Sequence, residues 1–166
     1  MTIYPLIQIF IAKQQLVLHL SDHQFETFSV STGKNGTGQQ NGSGCTPLGK
    51  HQICAKFGEN LPPNSVFVAR QFTGEIYNTA LACQFVDRDW ILTRILWLDG
   101  CEPSINQGEN ALGNCDSRSR YIYIHGTPDS EPMGIPRSHG CVRMRNADIM
   151  TVFAKVNIGT IVEIYP

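Results

Sequence analysis

Ser138-His139-Gly140-Cys141 sets a thiol two residues after an imidazole, with a single glycine between them. A second imidazole, His125, stands upstream and is followed by Gly126. These residue types suit a cysteine nucleophile. Imidazole can take the thiol proton, and glycine lets backbone and substrate approach closely. A free thiol has a pKa of about 8.5 and is mostly protonated at neutral pH. The motif therefore predicts that a neighbouring imidazolium lowers that value and yields thiolate. Attack on a carbonyl builds charge on oxygen, and the backbone N–H groups of Gly140 and Cys141 are the expected donors to it. Two other readings stay open on chemistry alone. One is a buried structural cysteine. The other is metal binding by His125, His139 and Cys141, a set without the usual Cys/His spacing or an evident fourth ligand.

The elements that must position these groups are mostly strands. Apolar alternation predicts strands over 7–11 and 15–20, joined by a hairpin, then 25–30. Residues 32–44 are rich in Gly, Asn, Gln and Ser and are expected to form a mobile loop, either a plain surface connection or a lid. Further strands are expected at 51–56, 65–72 and 90–98, the last apolar on both faces and so central. In the strand expected over 121–125, Tyr121, Tyr123 and His125 share one face, and Ile122 and Ile124 face the core. A polar connection, 99–119, precedes it. One helix is clear, with Asn146 as its N-cap and Ile149, Met150 and Phe153 on its apolar face; Gly159 stops it before a closing strand over 160–165. The fold class read from this pattern is a mostly β single domain, 1–166, with one clear helix near the C-terminus.

Composition narrows the function. A formal net charge of -1 argues against a general grip on nucleic acid or an anionic membrane. The N-terminal segment has no basic residue ahead of its apolar run and no cleavage-site pattern, so a cytoplasmic location is expected. The six cysteines include no C-x-x-C pair and are expected to be free thiols in a reducing compartment.

Taken together, His125-Gly126-Thr127 and Ser138-His139-Gly140-Cys141-Val142-Arg143-Met144 resemble the active-site signature of the L,D-transpeptidase (YkuD) domain. Val30-Ser31-Thr32-Gly33, Thr46-Pro47-Leu48-Gly49 and Gly159-Thr160-Ile161-Val162 are similar to its other landmarks. The resemblance implies a YkuD-type, β-sandwich-like fold with Cys141 as nucleophile and His125 as general base. The Gly126 carbonyl would orient that base, and His139, Gly140 and Cys141 would border the oxyanion site. It implies peptidoglycan stem peptides (muropeptides) as the partner, no metal and no cofactor. The thiolate would attack the L-centre carbonyl of the third stem residue, releasing D-Ala.

Transfer of the thioester to water is L,D-carboxypeptidase action; transfer to an amine is transpeptidation. The expected cytoplasmic location favours hydrolysis of tetrapeptides during muropeptide recycling. A third reading is a catalytically inert muropeptide-binding protein. Arg143 and Arg94 are candidates for a substrate carboxylate, Arg94 alternatively pairing with Asp99 or Glu102. Tyr123 is placed with the substrate by its shared face with His125. Ser138 is expected near the substrate, shaping the turn more than reacting.

Overall fold

The computed structural model describes residues 2–166. β1 (Leu6–Phe10), β2 (Gln15–Ser21) and β3 (Gln24–Ser31) form an antiparallel meander, as their alternation predicts. Ile7, Ile9, Leu16 and Leu18 bury completely while their neighbours stay partly accessible. β4 (Gly49–Phe57), β5 (Ser65–Val68), β6 (Gln71–Ile76) and β7 (Ile91–Gly100) follow, with a short helix α1 (Thr79–Gln84) before β7. β8 (Glu109–Asn110) and β9 (Gly113–Asn114) make a small separate hairpin. β10 (Tyr123–Thr127), β11 (Val142–Arg145), α2 (Asn146–Lys155) and β12 (Ile161–Tyr165) complete the chain.

Ten strands join in the order β10-β11-β3-β2-β1-β12-β4-β7-β5-β6. β10 also pairs with β7, so the sheet closes on itself and β5–β6 projects as a hairpin from the edge of β7. The architecture is the mostly β, sandwich-like one expected. α2 lays Ile149, Val152 and Phe153 against Leu96, Leu98, Ile122, Ile124, Val142 and Met144. Each such side chain contributes about 1.5–3 kcal/mol on burial, which makes this contact the main anchor of the helix.

β10 is the element that matters most for function. It lies between β7 and β11, with Ile124 opposite Leu96 on one side and Val142 on the other. Ile122 and Ile124 enter the α2 core, as the period-two reading requires. Tyr123 packs on the opposite face with Phe67 and Ile95, and against these sit Trp97 and Cys141.

Three local expectations change. Residues 65–72 are two strands, because the chain reverses at Ala69 and Arg70, both with left-handed φ (47° and 66°). Neither is a glycine or asparagine, so nothing in the local sequence announces the turn. Asn146 does not cap α2. It is the first helical residue, and its side chain is taken by Thr93 Oγ1 at 2.5 Å and by Asn64 and Asp129. The loop over 32–44 is tied down at several points. Its residues bridge to Ser138 and Thr46, and the Arg120 guanidinium donates to the carbonyls of Gly38, Gln39 and Cys45.

Candidate active site

The turn 138–141 is built from its own side chains. Ser138 Oγ donates to the Cys141 carbonyl at 2.5 Å and accepts the Gly140 N–H at 3.1 Å. Thr46 braces the turn from outside: its Oγ1 donates to the Gly140 carbonyl at 2.9 Å and accepts the Gly33 N–H at 2.8 Å. Gly140 sits at φ 123°, where a Cβ would lie 2.9 Å from the Cys45 carbonyl oxygen. Only glycine suits that combination of left-handed backbone and close approach.

This arrangement corrects one expectation. The Gly140 N–H is consumed by Ser138 and is not free for an oxyanion. The Cys141 N–H makes no hydrogen bond with the described residues and is the donor that remains at the turn.

Cys141 Sγ lies between the backbone groups of two tyrosines. It accepts the Tyr123 N–H at 3.3 Å and donates to the Tyr121 carbonyl at 3.3 Å. Although the residue keeps some accessible surface, protein packs densely round the sulfur. Burial pushes the thiol from 9.0 up to about 11; the Tyr123 N–H, Arg143 and Arg120 oppose that rise, and Asp89 adds to it. The sulfur therefore rests as a neutral thiol, not as the imidazolium-stabilised thiolate the motif predicts. The physical reason is that desolvation of a charged sulfur outweighs every nearby cation.

His125 shares the face of β10 with Tyr123, two residues on, or about 6.6 Å along the strand. Its Nδ1 bonds the Gly126 carbonyl at 2.6 Å. Nδ1 must carry the proton to donate there, so Nε2 is left as the basic nitrogen. Burial lowers the His125 pKa; the Gly126 bond and Asp89 oppose that lowering, and Arg143 reinforces it. Imidazole and thiol are thus both uncharged, and no hydrogen bond joins them. Handing the proton from Sγ to Nε2 requires the thiol to leave the Tyr121 carbonyl, consistent with catalytic contacts that tighten only when substrate is bound. A Cβ on Gly126 would meet the Leu92 carbonyl at 2.5 Å, so glycine allows β7 and β10 to close here.

His139 is largely exposed, and its Nδ1 faces the Asp89 carboxylate at 3.2 Å, not the sulfur. Asp89 also receives Arg143 Nη2 at 2.9 Å, and Arg143 lies 3.8 Å from Glu131. Burial works to raise the Asp89 carboxyl, but His125, Arg143 and His139 together hold it below its ordinary value. Asp89 is therefore the charged centre linking the two histidines and Arg143. It comes from the loop before β7, fifty residues from His139, and no sequence pattern marks it.

Arg94 is a further correction. It shares the α2 face of β7 with Leu96 and Leu98, stacks 5.5 Å from Phe153, and donates to the carbonyls of Leu61 and Thr93. It meets neither Asp99 nor Glu102, and it lies on the face of β7 opposite Cys141. The buried guanidinium takes backbone acceptors on this face through Nη1, away from the cysteine. Among the described residues, no three His, Cys, Asp or Glu side chains gather as a metal site would need.

A model of the L,D-transpeptidase catalytic domain (YkuD) matches residues 4–164. The chain belongs to that family. A probable L,D-transpeptidase, YbiS of Escherichia coli K12, is 50% identical over 44 residues, 26% of this chain and 14% of that protein. Among solved structures, L,D-transpeptidase 3 of Mycobacterium tuberculosis, bound to a faropenem-derived adduct, aligns with TM-score 0.56 at 15% identity. It covers 97% of this chain and 60% of its own. An L,D-transpeptidase from Mycobacterium smegmatis gives TM-score 0.55 at 13% identity, over 97% and 58% of the two chains. The chain thus spans about three-fifths of these structures and a far smaller part of the curated relative, and at such identities the structural likeness speaks for the fold. Within the family frame, the YkuD landmarks at 30–33 and 46–49 gain a physical meaning. They supply Thr46 and the strand end that brace the cysteine turn.

Proposed function

We propose that the protein is a cysteine-dependent acyl-transfer enzyme acting on the L,D bond of peptidoglycan tetrapeptides, with water as the favoured acceptor. The observation that carries the reading is a thiol held by the Tyr123 N–H and an imidazole at the end of β10 whose Nδ1 is committed to the Gly126 carbonyl, leaving Nε2 free. The chemistry closes without a cofactor. Nε2 of His125 takes the Cys141 proton as sulfur bonds to the scissile carbonyl carbon, and the Cys141 N–H receives the developing oxyanion. The carbon–nitrogen bond breaks, the imidazolium protonates the departing D-Ala amine, and a thioester remains. Water then attacks the thioester and gives a proton to His125, and the carbon–sulfur bond breaks to restore the thiol.

Because both groups start neutral, the proton transfer accompanies attack, and no preformed ion pair is needed. Six unpaired cysteines support the cytoplasmic, recycling side of this proposal, since a reducing compartment keeps thiols in that state. Transpeptidation is the second reading. The family match favours it, as does the Asp89 carboxylate beside the two histidines, which suits an incoming ammonium.

The test is mass spectrometry of a disaccharide-tetrapeptide incubated with purified protein, with and without an added D-amino acid. D-Ala release without acceptor supports hydrolysis. Exchange alone supports transpeptidation, and binding without turnover supports the inert reading.

A further inference from the structure

Five arginines in the fold are buried or half-buried, and four are already engaged. Arg143 meets Asp89 and Glu131, Arg88 meets Glu75, and Arg94 and Arg120 are spent on carbonyls. Arg70 differs. Among the described residues it has no acidic partner, and its one hydrogen bond runs from Nη1 to the Tyr123 hydroxyl at 2.9 Å. Its guanidinium carbon lies 4.5 Å from the Trp97 ring centre and 5.0 Å from that of Tyr121.

The surroundings link this cation to the nucleophile through two tyrosines. Tyr121 and Tyr123 are the residues whose backbone groups hold Sγ, and Trp97 packs in the same cluster as Cys141. Arg70 reaches them from the tip of the β5–β6 hairpin, where two successive left-handed residues aim it back across the sheet. A guanidinium has five N–H donors in one plane. Here two aromatic rings flank the cation and one donor is committed, so the others keep their fork for a planar anion. Stacking on aromatic faces also holds the cation without neutralising it.

We infer that Arg70 is the receptor for the α-carboxylate of the C-terminal residue that leaves. That carboxylate lies only one residue beyond the scissile carbonyl, about 3.8 Å between adjacent Cα atoms, so its receptor must border the nucleophile. Of the two arginines read from the sequence as carboxylate binders, Arg94 is turned away and Arg143 is neutralised within the fold. Arg70 would thereby restrict the enzyme to peptides that end at the residue after the scissile bond. The inference rests on the reaction proposed above, and its test separates the two.

The experiment compares a tetrapeptide ending in D-Ala with the same peptide ending in D-alaninamide. The wild type is expected to favour the acid by about tenfold or more in kcat/KM, the worth of a charge-assisted hydrogen-bond pair. Arg70→Gln is expected to collapse that preference to within about twofold by slowing the acid alone, and Arg70→Lys to restore part of it. If Arg70→Gln slows acid and amide equally, the residue merely supports the hairpin and the inference is overturned. If the wild type turns over neither peptide, the proposed reaction fails, and affinity then decides on Arg70. Cys141→Ala protein is titrated calorimetrically with both peptides, with and without Arg70→Gln. An acid preference that vanishes with Arg70 upholds the receptor, and equal affinities overturn it.

Discussion

Raising the pH should activate Cys141 along a curve that a preformed ion pair would not follow. Burial lifts the thiol from 9.0 to about 11. At pH 7 the thiolate fraction falls from about one in a hundred to about one in ten thousand, a hundredfold loss. A more basic thiolate is also more nucleophilic. With a Brønsted slope of about 0.4–0.5, two pKa units return roughly a tenfold gain. The net expectation is alkylation by iodoacetamide about tenfold slower than an ordinary thiol at pH 7, rising about tenfold per pH unit up to pH 10. Peptide mapping resolves Cys141 from the other five thiols, and exposed Cys83 serves as the control within each sample. Limited access to the sulfur would lower the whole curve without changing its slope. A plateau or inflection below pH 7 would show a thiolate–imidazolium pair and refute the reasoning.

Three further outcomes follow from named contacts. Thr46→Val should leave the Gly33 N–H and the Gly140 carbonyl unpaired in a buried place and cost about 1–3 kcal/mol in chemical denaturation; it should also loosen the cysteine turn, so that D-Ala release falls more than stability alone explains. His51, fully buried between the Gly49 carbonyl and Ser117 Oγ, is lowered from 6.5 to about 4, chiefly by burial. The unfolded chain then binds a proton below pH 6.5 that the folded one refuses. Stability is therefore full above about 6.5 and should be lost progressively toward pH 4, by roughly 3 kcal/mol in all; His51→Gln should flatten that slope in denaturant titrations at stepped pH. Arg120→Met removes the bonds to the Gly38, Gln39 and Cys45 carbonyls. Amide exchange over residues 36–46 should quicken while β1 and β2 keep their protection, and equal exchange in both proteins would show that the loop is held elsewhere.

The strands were legible wherever one face is buried and the other is wet. Ile7, Ile9, Leu16 and Leu18 recur at every second position, with Gln8, Gln15 and His19 among the residues between and beside them, and β1 and β2 fall where that pattern puts them. The pattern failed where tertiary contacts replace it. β11 is four residues hidden inside the cysteine motif, and α1 buries no residue, so neither leaves a periodic trace. The β5–β6 turn is held by Ala69 and Arg70 without turn-type residues.

In the site, the residues contiguous with the motif were readable: Ser138 shapes the turn, and His125 bonds the Gly126 carbonyl. Asp89, Arg120 and Arg70 were not, because each arrives from a different loop and is defined by what it meets; Thr46 stood in a recognised landmark, but its bracing role did not show. The charge state of the thiol was also out of reach. Spacing shows that imidazoles are near Cys141, but desolvation depends on all the protein packed round the sulfur.

The covalent step can be observed directly. Wild-type protein and the Cys141→Ala and His125→Ala variants are mixed with a D-Ala-terminated tetrapeptide, quenched in acid within the first turnovers, and mapped by mass spectrometry. The account predicts a tripeptide acyl adduct on the peptide containing Cys141 in the wild type, formed with one D-Ala released per adduct. It predicts no adduct in Cys141→Ala and strongly slowed formation in His125→Ala. Release of D-Ala by Cys141→Ala, or an adduct carried by another of the cysteines, would contradict it.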